Sequence, residues 1–588
     1  MDEPLSQRIN LRFLIACIVV IALPCIPLLD LNSVFAVDWP NQVWLINYVA
    51  SFLAERHYFP DVIHTYTLIG MPYPVFYGYL FFPLMGTLSL FWNGDLTVRL
   101  IAVSLYALQF FLVYRLASRV TSDRFSGFCL ATLVTWAIYP MTNLYNRGAI
   151  PEFFATGLLV CAAAIWFFVL EAKDSLTRFA LCNVFVLVFV LAAGSHPITA
   201  LYGACFMALL VGATIWISRV KIKDVLLALA IPVVLGVFSL LPWVMATTKF
   251  TPQMALAASF KHVGYYYHSL DSLYARLVPL PIETKSYRHK LADDHVMTPH
   301  LDTQINVSLL LFFLACLSEV FRKGAIRNRR SVVAIGVFAV IMVLMLWASV
   351  TKGTLDKLGH NFRTIQFAYR MVTYINFSML IAVILCFWKS DRKLQLLTNR
   401  RALVSLLILS FAGLSIKLYS ARQAMVHTVA EFARTRTFSF SLLKMPDSFY
   451  GSDAYTITNL FPELTPDKVA QYHNCPFEPS TEVFGEVKPV ISPVGIGQTN
   501  IQQFPWNYVK ANGADIERLE HDHRIAVDMP QSTELHYQFV PDSAWAQARM
   551  LSITVFFFWL LATTIEVIVL LYKKRLQLST DAELVAPD

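Results

Sequence analysis

A carboxylate follows the first apolar run of the chain, in Ala36-Val37-Asp38-Trp39-Pro40-Asn41-Gln42. Asp38 stands at a boundary between apolar and aqueous surroundings, where a carboxylate is available for catalysis. The position also suits a helix cap, because Asp just before a Pro-containing first turn opens helices well. The amphipathic stretch from Gln42 to Arg56 is the helix it would cap. A second cluster, Tyr145-Asn146-Arg147-Gly148-Ala149-Ile150-Pro151-Glu152, packs a cation, a glycine and a carboxylate between two apolar runs. Gly148 permits a tight turn, and Pro151 with Glu152 fits the first turn of the next helix. Arg147 and Glu152 form either an interfacial ion pair or part of a polar site.

The third cluster, His360-Asn361-Phe362-Arg363-Thr364-Ile365-Gln366-Phe367-Ala368-Tyr369-Arg370, stands directly before another apolar run. Arg363, Gln366 and Arg370 recur at helical spacing, so one face would present two guanidiniums. Guanidinium forks suit bidentate contact with phosphate; the alternative is that these side chains reach toward lipid headgroups. His196, in Ala193-Gly194-Ser195-His196-Pro197, ends a further apolar run, where a lone histidine is more often structural than catalytic. His521-x-His523 resembles a metal pair, but that spacing alone does not define a site. With no CxxC pair in the chain, neither a structural zinc site nor a disulfide framework is expected. No cofactor is expected; a divalent metal is compatible with the chain, although no motif supports one.

These clusters have to be positioned by a membrane bundle. Of 588 residues, 56% are hydrophobic and 15% charged, where a soluble domain carries about 25% charged residues. Mean hydropathy is +0.55. The net charge of +8 comes from cations dispersed between apolar runs, a pattern that does not make a nucleic-acid surface. Runs long enough to cross a bilayer lie near 11–29, 97–117, 125–141, 153–171, 179–194, 198–218, 225–246, 306–321, 331–350, 371–388, 402–419 and 549–572. The run Val75–Trp92 is also long enough, but counting it would throw the later basic connections onto the outer face, against the positive-inside rule. Its Pro83, Gly78 and Gly86 fit a broken, interfacial segment instead. The expected fold class is therefore an all-α polytopic membrane protein of about twelve transmembrane helices, with both termini cytoplasmic. All fourteen histidines then fall in outer segments or at the outer ends of spans.

Residues 421–548 form the one soluble-sized piece. The turn signal Asn512-Gly513 and alternating stretches such as Arg524–Met529 predict a small β-rich extracytoplasmic domain before the last helix, 549–588.

The clusters also carry a resemblance. The chain resembles the membrane-protein family named for a 6-pyruvoyl-tetrahydropterin synthase-related domain, a branch similar to the GT-C glycosyltransferases. The matching elements are Asp38, Gly70-Met71-Pro72 with Phe76-Tyr77-Gly78-Tyr79-Leu80, Asn146-Arg147-Gly148-Ala149 with Glu152, Ser195-His196, and Gln366-Phe367-Ala368-Tyr369-Arg370. They cover roughly residues 1–420, which the resemblance makes a GT-C-like transmembrane domain with interfacial helices at about 41–92. It implies a membrane glycosyltransferase of the bacterial inner membrane. Such an enzyme moves a sugar from a polyprenyl-phosphate-linked donor to a glycan, lipid or protein acceptor at the periplasmic face. Asp38 or Glu152 would be catalytic, and Tyr77, Arg147, His196, Arg363, Gln366 and Arg370 would bind substrate. The family often has a His shortly after the Asp, where this chain has Asn41 and Gln42. The alternative is a non-catalytic protein that handles lipid-linked glycans or scaffolds envelope polysaccharide assembly.

Overall fold

The computed structural model describes residues 11–31, 35, 38–63, 73–218, 220–250, 272–278, 303–323, 328–351, 368–388 and 399–435, seven strands between 477 and 541, and 541–584. Crossing about 30 Å of hydrocarbon takes about 20 helical residues. Among the described residues, eleven helices are long and apolar enough to do so. They are Leu11–Leu29, Gly94–Thr121, Arg124–Asn146, Ile150–Glu171, Ser175–Ser195, Pro197–Ser218, Ile222–Thr248, Arg329–Val350, Ala368–Phe387, Arg400–Arg422 and Ser543–Lys573. The twelfth expected span, Val307–Phe321, is apolar but shorter.

In chain order the helices are α1 (Leu11–Cys25), α2 (Trp39–Arg56), α3 (Tyr73–Phe76), α4 (Phe81–Ser89), α5 (Gly94–Thr121) and α6 (Arg124–Thr135). They continue as α7 (Ile150–Glu171), α8 (Ser175–Ser195), α9 (Pro197–Ser218), α10 (Ile222–Phe250) and α11 (Leu273–Leu277). The last are α12 (Val307–Lys323), α13 (Arg329–Val350), α14 (Met371–Phe387), α15 (Arg400–Thr435) and α16 (Ser543–Leu584). Connections at one end are short, two residues before α6, three before α8 and five before α13, and end on Asp123, Asp174 and Asn328, whose side chains accept backbone N–H bonds from the helices they open. That short-loop pattern makes sequence neighbours antiparallel and gathers the intervening connections at the opposite end.

Two helices are buried almost all round. In α7 every residue from Ile150 to Leu170 except Val160 is buried, and α14 is buried at all but two of its positions. Their sequences are apolar on every face, as a helix surrounded by other helices must be. The polar residues of these helices are concentrated near their first turns, and that is where Glu152 and Arg370 sit.

Val75–Trp92 does not form one helix. It is broken into α3 and α4 around the turn Tyr77–Leu80. The nine residues of α4 rise about 14 Å, less than half the hydrocarbon thickness. Proline in both pieces (Pro74 and Pro83) and Gly78 at positive φ break the run. The segment packs against α2 and α5, with Phe81, Phe82 and Met85 fully enclosed.

The strands form two antiparallel sheets, of order β1-β2-β7-β4 and β3-β6-β5. β1 to β7 are Phe477–Glu478, Glu486–Pro489, Gly495–Gln502, Asn507–Ala511, Asp515–Arg518, Arg524–Met529 and Leu535–Pro541. The alternating stretch Arg524–Met529 is β6, central in its sheet and paired Ala526 to Gln498 on one side and to Glu517 on the other. Asn512-Gly513 lies outside the described residues, between β4 and β5. α16 starts at Ser543, six residues before the expected 549, because Asp542 caps it: its Oδ1 accepts the N–H groups of Ala544 and Trp545 at 3.0 and 3.3 Å. An apolarity count misses such a start, since Gln547 and Arg549 interrupt the apolar run.

Candidate active site

The turn after α6 is wound as a π-helix over Thr142–Asn146. Arg147 N–H closes it onto Thr142 O at 2.9 Å, and Ala149 N–H reaches Asn143 O at 2.8 Å. Gly148 then takes φ +64°, a left-handed conformation that a side chain would strain. This widened turn carries Asn143 and Arg147 toward the start of α7. Such single π turns recur at functional sites.

Glu152 is in the first turn of α7, where the helix dipole favours a carboxylate. It is 3% exposed and surrounded by donors. Arg147 Nη1 donates to Oε2 at 3.0 Å and to Asn143 Oδ1 at 2.6 Å. Asn143 Nδ2 stands 3.4 Å from Oε1. Arg370, the residue that opens α14, places Nε 3.2 Å from the same Oε2, and His196 Nε2 lies 3.8 Å from it. Tyr369 contributes a ring whose centroid is 5.5 Å from the guanidinium carbon of Arg147.

His196 caps the α8–α9 corner. Thr199 N–H donates to His196 Nδ1 at 3.2 Å, and Thr199 Oγ1 stands 2.9 Å from the same nitrogen. With Nδ1 accepting, the neutral ring carries its proton on Nε2, toward Glu152. Burial, only partly opposed by Glu152, and the nearby Arg370 and Arg147 push the His196 pKa down to about 3, so the ring stays neutral. Tyr77 meets His196 edge to face at 5.3 Å.

Asp38 opens α2 without spending its carboxylate there: its side chain makes no capping hydrogen bond. Its backbone N–H donates instead to Arg147 O at 2.9 Å, which fastens the first connection to the π turn. Burial raises the Asp38 pKa, Arg147 and Arg370 pull it down, and Glu152 adds to the rise; the net direction is up. The next residue anchors this geometry. Trp39 Nε1 donates to Asp95 Oδ1 at 2.9 Å, and Asp95 Oδ2 receives Arg99 Nε at 2.6 Å. Arg99 Nη1 holds the carbonyls of Leu28 and Asp30 at 2.8 and 2.9 Å. One buried pair thus clamps both ends of the loop before Asp38. Trp39→Phe leaves Asp95 Oδ1 without its indole donor, so thermal unfolding of the solubilised protein should show a loss of about 1–3 kcal/mol. An unchanged melting temperature would deny the clamp.

Asp38, Tyr77, Arg147, Glu152, His196 and Arg370 are thus brought together at one end of the bundle. Arg363 and Gln366 lie outside the described residues, as do Gly70-Met71-Pro72, His521 and His523, and most of the connection from 251 to 302. Sequence reasoning passed over Asn143 and Thr199, and it passed over Asp95 and Arg99. The last two carried a signal: opposite charges four residues apart in the first turn of an apolar span demand a buried partner.

Below the charged cluster, toward the middle of the bundle, a small cavity of about 60 Å³ opens between α5, α6, α7, α12 and α14. Its walls are mostly apolar, including Phe153, Val160, Phe377 and Leu380, and Tyr139 lines it at the charged end. Tyr139 packs on Tyr369 at 6.4 Å. Among the described residues, no group of three or more His, Cys, Asp or Glu gathers as a metal cage. The donor set at this site fits a cation poorly, since both oxygens of Glu152 face Arg147, Asn143, Arg370 and His196.

No protein-family model matches the chain, and no curated protein sequence matches it. Among solved structures, the chain is similar to the oligosaccharyltransferase of Archaeoglobus fulgidus in its apo form, at 14% identity and a TM-score of 0.36. The match covers 83% of this chain, which spans 62% of the length of that protein.

Proposed function

We propose that the chain is a membrane glycosyltransferase that moves a sugar from a polyprenyl-phosphate-linked donor to an acceptor hydroxyl. The observation that carries this reading is the meeting of three features. A carboxylate not spent on capping, Asp38, stands beside the paired guanidiniums of Arg147 and Arg370, and an apolar cavity lies directly beneath them. A general base and an anion clamp are parts that such a transfer needs, and the apolar recess beside them suits contact with a lipid chain.

In the proposed step the acceptor oxygen attacks the anomeric carbon as the bond from that carbon to the donor phosphate breaks. Asp38 takes the acceptor proton. The leaving phosphate gains charge, and fixed guanidiniums stabilise it without having to reorganise. Glu152 holds the two arginines in register, and neutral His196 with Tyr77 walls the sugar side. Atoms and charge balance with no redox cofactor. Arg363 and Gln366 would add to the binding of the same phosphate.

Orientation follows from charge. The helix ends and connections away from the site carry Arg119, Arg124, Lys173, Arg178, Arg330 and Arg400. By the positive-inside rule that end is cytoplasmic, so the site opens on the extracytoplasmic side of the bacterial inner membrane.

The test is chemical. In a deletion strain, mass spectrometry of glycans and lipid-linked sugars should show an undecorated acceptor and an accumulated donor. Wild-type chain should restore the product, and Arg370→Ala, expressed to the same level in membranes, should restore roughly 1% or less of the rate. Full restoration by Arg370→Ala would refute the reading.

A further inference from the structure

Away from the site, α16 is bolted to the long connection between α2 and α5. Arg549 forms an ion pair with Asp61 and donates to the carbonyls of Phe59 and Pro60 at 3.2 and 2.9 Å. Trp545 Nε1 donates to Asp61 Oδ2 at 3.0 Å. One turn below Arg549, Ser552 Oγ is 2.7 Å from Tyr79 OH, and the Arg549 guanidinium stands 5.7 Å from the Tyr79 ring centroid. Asp61, Tyr79, Arg549 and Ser552 are all buried. A buried ion pair is weak evidence for stability, and its better-attested use is to fix register. The joint also begins almost where the sheet ends: β7 stops at Pro541, Asp542 caps α16, and Trp545 is already tied down.

Tyr79 belongs to the Tyr77–Leu80 turn, whose other side meets the site. Leu80 N–H donates to Gly194 O at 2.9 Å. A methyl group on Gly194 would stand 2.6 Å from Leu80 Cγ, so the approach requires glycine. Gly194 is two residues before His196, and Tyr77 is the ring against that histidine. The turn is thus held between α16 and the α8–α9 corner.

We infer that Tyr79, Ser552 and Arg549 are positioning residues: through them the last helix, and the sheet joined to its start, sets the Tyr77–His196 wall of the candidate site. The consequence for catalysis rests on the glycosyltransferase reading; the mechanical coupling does not.

Tyr79→Phe, Ser552→Ala and the double variant test both parts in the full-length chain held in lipid nanodiscs. Hydrogen exchange read by mass spectrometry should rise on the order of 3–10-fold in peptides containing the Leu80 amide. Peptides at the opposite end, around 115–124 and 171–178, should keep wild-type exchange. Where sugar transfer is measured, kcat should fall about tenfold with the donor KM unchanged. The double variant should be no worse than either single, because all three remove one bond. Unchanged exchange at Leu80 overturns the coupling, and so does a uniform rise across every helix, which would make the bond one of general stability. Absence of any transfer by the wild-type chain would count against the proposed reaction, while the exchange data would still decide the coupling.

Discussion

Glu152→Ala should cost the chain its folded state and not just its activity. Glu152 is the shared acceptor for Arg147 and Arg370, and its carboxylate is 3% exposed. Removing one partner of such a buried group leaves uncompensated charge, at about 3–5 kcal/mol. Folded proteins have only about 5–15 kcal/mol in total. Arg147 also sits on the π turn whose carbonyl receives the Asp38 N–H, so the loss would spread from α7 to the start of α2. The purified variant should melt well below the wild type or elute as aggregate. Glu152→Gln keeps the shape and an acceptor oxygen and should fall between the two. Glu152→Leu combined with Arg147→Met removes a charge of each sign and should recover part of the loss, since apolar replacements of similar volume are tolerated where single truncations are not. Wild-type melting of Glu152→Ala would show that the arginines are solvated and that the hub is not structural.

The contrast between charge and apolarity explains what the sequence disclosed about the fold. Spans such as Ile150–Glu171 and Arg329–Val350 are legible because hydrocarbon admits backbone only as closed helices of a set length. Parity separated Val75–Trp92 from the true spans because the basic connections record orientation independently of apolarity. Convergence was legible only in outline. Asp38, Arg147, His196 and Arg370 each end or begin an apolar run, so they share an end of the bundle. Nothing in their spacing says that one carboxylate oxygen of Glu152 serves three of the neighbouring side chains. That depends on how α6, α7 and α14 pack, and on a π turn that adds one residue to a helix with no marker in its sequence. Asn143 is the clearest case. Within an apolar span it reads as a tolerated polar residue, yet the widened turn aims it at Arg147 and Glu152. The start of α16 differs for the opposite reason: Asp542 announces a cap in the sequence, but a count of apolar residues is broken by Gln547 and Arg549.

Asp38→Asn should separate function from folding. No capping bond is lost, and the backbone N–H to Arg147 O survives the substitution. The variant should therefore insert and purify like the wild type while transfer falls about 10²–10⁴-fold, the usual contribution of a positioned base. The pH dependence carries a second signature. Burial holds the Asp38 pKa above the usual carboxylate range, only partly offset by Arg147 and Arg370. A base must be ionised to accept a proton, so the wild-type kcat/KM should fall on acidification at a higher pH than an exposed aspartate would give, and the asparagine variant should lose that limb. The linkage has a definite sign. A carboxyl with a folded pKa above its unfolded value binds more protons when folded, so its contribution to stability declines as pH rises through that window and stays unfavourable above it. Asparagine cannot ionise, so Asp38→Asn should be as stable as the wild type in acid and more stable at neutral pH. Such a cost in stability is the usual trade at a group that serves activity. A variant that melts lower than the wild type at neutral pH, or that transfers sugar at the wild-type rate, would assign Asp38 to the scaffold instead.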